Sequence, residues 1–150
     1  MSQWTIRQAV VEERAYLEDL QRRSSGADPA YTELLRTHPE IVVLLAETIT
    51  DGNVFVAERG GEIAGFAVLA LTPEGEHELD GLFVEPALWG QGVGRALVEH
   101  CCAHVRQLGG RVLHLIGNPN VRGFYTTCGF DLLGSKPLQF GVGDVMIPRL

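Results

Sequence analysis

The stretch Trp89-Gly90-Gln91-Gly92-Val93-Gly94 sets three glycines at alternate positions, immediately before a run with the apolar spacing of a helix. Glycines leave backbone N–H groups uncovered, and a helix start adds partial positive charge, so such a turn suits a phosphate or pyrophosphate. Just upstream, Glu78, Asp80, Leu82 and Val84 share one face if that segment is an extended strand. Two carboxylates on one strand face can accept a proton or hold a cation, although solvated strand-end charges are the commoner case.

Two familiar phosphate motifs do not fit the turn. A P-loop needs a Lys after its last glycine, and none follows here. A dinucleotide fingerprint needs Gly-x-Gly-x-x-Gly, but counting from Gly90 the last position is Arg95, and from Gly92 it is Leu97. Taken alone, the glycines are explained as well by a tight strand-to-helix turn. Other chemistry-bearing residues are weaker candidates. His100 and His104 lie one helical turn apart, yet no third metal ligand has useful spacing, and a solvated helix face is the better account. His77 and His114 read as single histidines without partners. Cys101, Cys102 and Cys128 read as core or small buried hydrophobes.

The elements that must position the turn follow from periodicity and breakers. Thr5–Val10 reads as a first strand and Val11–Ser24 as a helix, with Val11, Ala15, Tyr16, Leu17 and Leu20 on its apolar face. Ser24–Pro29 breaks it. Further helices are expected over Ala30–Thr37 and Pro39–Thr50, the second with Pro39 at its first position. Asn53–Arg59 and Glu62–Leu71 form a hairpin through Gly60-Gly61. A strand over His77–Val84 ends at Pro86. After the glycine turn comes a helix over Val93–Leu108, with Val93, Leu97, Cys101, Val105 and Leu108 as its stripe. A strand over Arg111–Ile116, a short helix from Asn118 through Thr127, and closing strands over Gly129–Lys136 and Val142–Arg149 complete the chain. This order implies an α+β fold around a mixed central sheet.

Bulk properties narrow the function classes. A chain of 150 residues, 45% hydrophobic and 21% charged, is expected to form one domain without metal or disulfide staples. The net charge of −7 disfavours nucleic acid and favours a cationic small molecule or basic peptide. The longest apolar run, Ile41–Ala46, is too short to span a membrane. The N-terminal residues lack the layout of a secretion signal, and three cysteines make no disulfide framework. A reduced, cytoplasmic protein is the expectation.

The glycine turn resembles the central motif of the GNAT superfamily of acyl-CoA-dependent N-acyltransferases, Arg/Gln-x-x-Gly-x-Gly/Ala, with Gly92 and Gly94 as its glycines. The strand end Leu82-Phe83-Val84-Glu85-Pro86 matches the Leu-x-Val-x-Pro that precedes it. Downstream, Asn120-Val121-Arg122-Gly123-Phe124-Tyr125 and Gly129-Phe130 are similar to the superfamily's Asn-x-x-Ala-x-x-Tyr-x-x-x-Gly-Phe, with Gly123 in place of Ala. Trp89 departs from the usual Arg or Gln, which removes a polar contact and leaves the backbone cradle intact. The resemblance covers about Phe55–Phe130 in element order. It implies a mostly antiparallel sheet of about seven strands with helices on both faces.

It also implies acetyl-CoA as co-substrate, with no metal, and direct attack of an amine on the thioester. Coenzyme contacts fall on Leu82, Phe83 and Val84, on Trp89 through Arg95, and on Asn120 and Tyr125. Tyr125 matches the superfamily's tyrosine and would protonate the leaving thiolate; the plain alternative is a core tyrosine beside Phe124 and Phe130. The Val84 N–H is the expected oxyanion donor, on a strand end that splays so that the pantetheine pairs with it. Glu78 is the expected base, with Asp80 and water as alternatives. Asn120 either positions the coenzyme or caps a helix, and Arg95 either reaches a phosphate or is a surface residue. The leading function is an N-acetyltransferase acting on a primary amine of a small molecule or protein. A non-catalytic acyl-CoA-binding or sensing module is the alternative, and a pure protein-interaction domain a third. The acceptor pocket is expected from Val11–Thr50 and the Thr72–Glu76 loop. Val145-Met146-Ile147 suits a homodimer contact or core packing equally.

Overall fold

The structure is a computed structural model that describes residues 3–27, 29–110, 113–138 and 142–148. The chain opens with β1 (Thr5–Gln8), a 3-10 turn and α1 (Arg14–Gly26), then α2 (Pro29–Thr37), a second 3-10 turn (Pro39–Ile41) and α3 (Ala46–Thr50). The strands β2 (Val54–Arg59), β3 (Glu62–Leu71) and β4 (His77–Val84) lead through a 3-10 turn at Pro86–Leu88 to α4 (Val93–Gln107). Strand β5 (Leu113–Gly117), a further 3-10 turn, α5 (Arg122–Thr127), β6 (Phe130–Pro137) and β7 (Val142–Pro148) close it.

The seven strands are ordered β1-β2-β3-β4-β5-β7-β6, an α+β architecture with a mixed sheet. Ladders β1–β2, β2–β3, β5–β7 and β6–β7 are antiparallel, and β4–β5 is parallel. The β2–β3 hairpin closes where its sequence signal lies. Gly60 and Gly61 hold φ of 61° and 82°, the positive values that both central residues of this turn require.

Two compact units make up the chain: Met1–Val68 with Gly81–Leu97, and Leu69–Asp80 with Val98–Leu150. In the first, Leu17 and Leu20 of α1 pack with Val54, Val56, Phe66 and Val68 of the hairpin, together with Ala9, Leu44 and Ile49. Phe83 joins this core, its ring 5.1 Å from that of Phe66. In the second, Cys101, Val105, Leu113, Leu115, Phe130 and Met146 are buried.

Three expectations need correction. The segment 39–50 is not one helix. Only Ala46–Thr50 is α-helical, and between it and the turn at Pro39–Ile41 the chain is extended, with Val42 and Leu44 buried and Val43 and Leu45 exposed. The β-branched run Ile41-Val42-Val43 fits such a conformation. Its backbone is served by α1, since Arg14 Nε donates to the Leu44 carbonyl at 2.7 Å and Glu18 Oε2 accepts from the Leu44 N–H at 3.0 Å. Helix α1 continues to Gly26, and Val11 and Tyr16 are exposed. Leu108 leaves the apolar stripe of α4 and is 60% exposed. The cause is a Schellman ending, in which Gly109 (φ 83°) donates to Arg106 O at 3.0 Å and Gly110 to Val105 O at 2.9 Å. Arg111 and Arg149, the expected outer ends of two strands, lie outside the described residues.

Candidate functional site

In the first unit, β4 ends at Val84 and the chain passes through Pro86–Leu88 into the glycine turn. Gly90 and Gly92 have φ of 82° and 84°, which side chains rarely tolerate. A Cβ built on either would meet no atom within 4 Å, so the glycines answer a backbone demand and leave open space above the turn. The Ala96 N–H donates to the Gly92 carbonyl at 3.1 Å, which makes Gly92 the N-cap of α4. The N–H groups of Gly92, Val93, Gly94 and Arg95 precede any intrahelical acceptor. A glycine cap brings no side-chain oxygen to them, and the helix behind is 15 residues long. A glycine-capped helix start of this kind is the geometry that suits an anion. Arg95 is exposed on its first turn.

Trp89, expected to cost the turn a polar contact, makes one of its own. Its indole Nε1 donates to the Val84 carbonyl at 2.9 Å while the residue stays 52% exposed. Gln91 is held from the other side, its carbonyl accepting from Trp4 Nε1 at 3.1 Å and Gln3 Nε2 at 3.3 Å. Gly65 of β3 allows a close approach that the sequence did not flag: a Cβ there would lie 2.7 Å from the Phe83 carbonyl and 3.2 Å from Val84 Cα. Beside it, the Glu85 N–H donates to Ala64 O at 2.8 Å. Along the strand end, Leu82, Phe83 and Val84 are all half-buried.

In the second unit, Tyr125 of α5 is only 8% exposed, edge-on to Phe124 at 5.1 Å and to Phe130 at 6.0 Å. Burial, with a smaller contribution from Cys128, pushes its phenol up to about 12, so it keeps its proton throughout the neutral range. Its ring lies over Gly117, where a Cβ would sit 3.1 Å from it. Helix α5 is fastened to β7 by Arg122, whose Nε and Nη2 reach Asp144 Oδ2 and Oδ1 at 2.8 and 3.0 Å. Asp144 is 2% exposed and no local signal marks it, because its partner lies on another element. Of Asn120 the backbone forms part of a 3-10 turn (Pro119–Val121), and its side chain lies outside the description.

Glu78 and Asp80 separate in character. Asp80 is exposed, whereas Glu78 is half-buried and in register with His114 across the parallel β4–β5 ladder. His114 is therefore not the isolated histidine expected. Its Nε2 lies 4.0 Å from Glu78 Oε2 and its Nδ1 3.7 Å from Glu76 Oε2. The β4–β5 ladder runs from His77–Leu113 to Leu79–Leu115, while β4 itself continues to Val84. Cys101 is fully buried and its thiol is pushed up to about 12 by that burial, the signature of an inert core cysteine. Among the described residues no group of three His, Cys, Asp or Glu is arranged to hold a metal.

Comparison with known proteins gives a consistent set of relatives. Residues 14–130 match the sequence profile described as the Acetyltransferase (GNAT) family. The chain is 32% identical over 136 residues to the peptidyl-lysine N-acetyltransferase YjaB of Salmonella typhimurium, covering 89% of this chain and 88% of that one. The Escherichia coli protein of the same name is 38% identical over 86 residues, 57% of this chain and 53% of that one. Among solved structures, the PaiA N-acetyltransferase of Thermoplasma acidophilum in complex with coenzyme A shares the fold, with a TM-score of 0.77 over all of both chains at 19% identity.

Proposed function

This chain is an acyltransferase of the acetyltransferase (GNAT) family, and on that premise we propose that it transfers the acetyl group of acetyl-CoA to a primary amine, foremost a peptide lysine. The observation that carries the reading is the glycine-capped start of α4, with unobstructed space over Gly90 and Gly92. It offers donors and partial positive charge to the coenzyme's diphosphate. The backbone of Leu82–Val84 leads toward this turn and suits the pantetheine arm. The net charge of −7 favours a cationic acceptor, in keeping with the peptidyl-lysine activity named for the two curated relatives. The three free cysteines agree with work in the cytoplasm.

In the reaction we assign, a lysine-like ammonium first loses a proton to Glu78, directly or through water; His114 lies beside that carboxylate. The amine nitrogen attacks the thioester carbonyl carbon, and the new oxyanion is met by the Val84 N–H. Collapse breaks the C–S bond. The departing thiolate takes its proton from Tyr125, which burial keeps protonated. As the tetrahedral species collapses the nitrogen gives its second proton to solvent, Glu78 releases its own to solvent and solvent returns the phenol's proton. The products are therefore the N-acetyl amide, coenzyme A and one proton.

The test is incubation with acetyl-CoA and a panel of lysine peptides, polyamines and small amines, with thiol release and product mass as readouts. Acetylation of a lysine peptide is the expected result. Saturable coenzyme binding without thiol release across the panel would replace this reading with a non-catalytic acyl-CoA-binding module.

A further inference from the structure

The chain contains two tryptophans: the Trp4 indole N–H ends on the Gln91 carbonyl of the glycine turn, and that of Trp89, the first residue of the turn, ends on the last carbonyl of β4. We propose that Trp4 and Trp89 are positioning residues that clamp the glycine turn in its ligand-ready conformation before any ligand arrives. The inference rests on the assignment of that turn to coenzyme binding.

The physical case starts from the peptide plane. In a trans peptide the carbonyl and the following N–H point in opposite directions, so fixing one aims the other. Val84 O accepts from Trp89 Nε1 at 2.9 Å, and the N–H of the same peptide, that of Glu85, donates to Ala64 O at 2.8 Å. This last peptide of β4 is thus held at both ends. Gln91 O accepts from Trp4 at 3.1 Å and from Gln3 at 3.3 Å, which turns the Gly92 N–H away from them.

Trp4 can serve as an anchor because it is itself immobilised. It is 6% exposed, and the Arg59 guanidinium lies 4.3 Å from its ring centroid while Arg59 Nη1 donates to Gln3 Oε1 at 2.8 Å. The anchors are needed because Gly90 and Gly92 have no side chains to pack and nothing near their Cβ positions. An unrestrained glycine turn would be ordered only on binding, and affinity would fall by that entropy. An indole has one donor and no acceptor, so each tryptophan makes its bond in a single direction.

The test uses Trp89→Phe and Trp4→Phe, which keep an aromatic ring and remove the N–H. Backbone 15N order parameters of Gly90, Gln91 and Gly92 are measured in the ligand-free protein, and the Kd for coenzyme A by calorimetry. The expected outcome for Trp89→Phe is lower order parameters at the turn and a Kd raised about three- to tenfold, the scale of one lost hydrogen bond. KM for acetyl-CoA should rise by more than kcat falls. If Trp4→Phe does not fold, Trp89→Phe decides alone. Unchanged order parameters overturn the clamp, even where Kd rises, because Trp89 would then act by touching the coenzyme. Should the wild-type protein bind no coenzyme A, the coenzyme reading fails, while the order parameters still decide the clamp.

Discussion

Arg122 and Asp144 form a two-pronged ion pair, Nε to Oδ2 at 2.8 Å and Nη2 to Oδ1 at 3.0 Å, that ties helix α5 to strand β7. Arg122 and Tyr125 are three residues apart on α5 and share a face, so the pair also sets where the phenol stands. Asp144 is in register with Gly117, the glycine against which the Tyr125 ring rests. The ion pair and the tyrosine are one local structure.

Removing one partner of a buried pair strands the other's charge, while neutralising both relieves it. Arg122→Ala is therefore expected to lower Tm by several degrees. Adding Asp144→Asn to that variant should recover part of the loss. Thermal unfolding of the wild type and the two variants checks the order, and a double variant less stable than Arg122→Ala would refute it.

Tyr125→Phe keeps the ring that packs between Phe124 and Phe130 and removes the hydroxyl proposed as the acid. Loss of a general acid should lower kcat about a hundredfold or more with coenzyme binding nearly unchanged. An unaltered kcat takes Tyr125 out of the mechanism.

The same residue makes a stability prediction with a definite sign. Its folded value, about 12, lies above the ordinary 10 of an unfolded tyrosine. The unfolded chain releases the proton first, so this contribution is complete below pH 10 and is lost as pH rises from 10 toward 12. Tm followed over that range should fall more steeply for the wild type than for Tyr125→Phe.

Glu78 as base must be unprotonated to work, so activity resting on it falls on the acid side of the pH profile. Glu78→Gln should lower kcat/KM and remove that acid-side limb. A profile identical to the wild type in Glu78→Gln would assign the proton to water.

Gly65→Ala tests the strand end by sterics alone. The added Cβ would lie 2.7 Å from a backbone oxygen, so Phe83 and Val84 must move. A cost of about 1–3 kcal/mol is expected from such overpacking, read by urea unfolding. The coenzyme Kd should rise with it, and an unchanged Kd would separate the strand end from the binding surface.

The elements whose causes are local were legible in the chain itself. Gly60-Gly61 closes the hairpin and Gly92 caps α4 because positive φ is a demand made within a few residues. The resemblance of two short motifs to one family rests on the same locality. What only the tertiary structure decided is who answers whom across the chain. Residues 42–45 carry an apolar run suited to helix or strand, and the choice went to an extended segment whose backbone bonds to Arg14 and Glu18 of α1. His114 gained two acidic neighbours only when a parallel ladder set it beside Glu78. Trp89, which breaks the family pattern in sequence, became a donor to Val84 once the strand end and the turn were folded against each other. Spacing records the bonds a residue can make with near neighbours, whereas a distant partner enters only when packing brings it within about 3 Å.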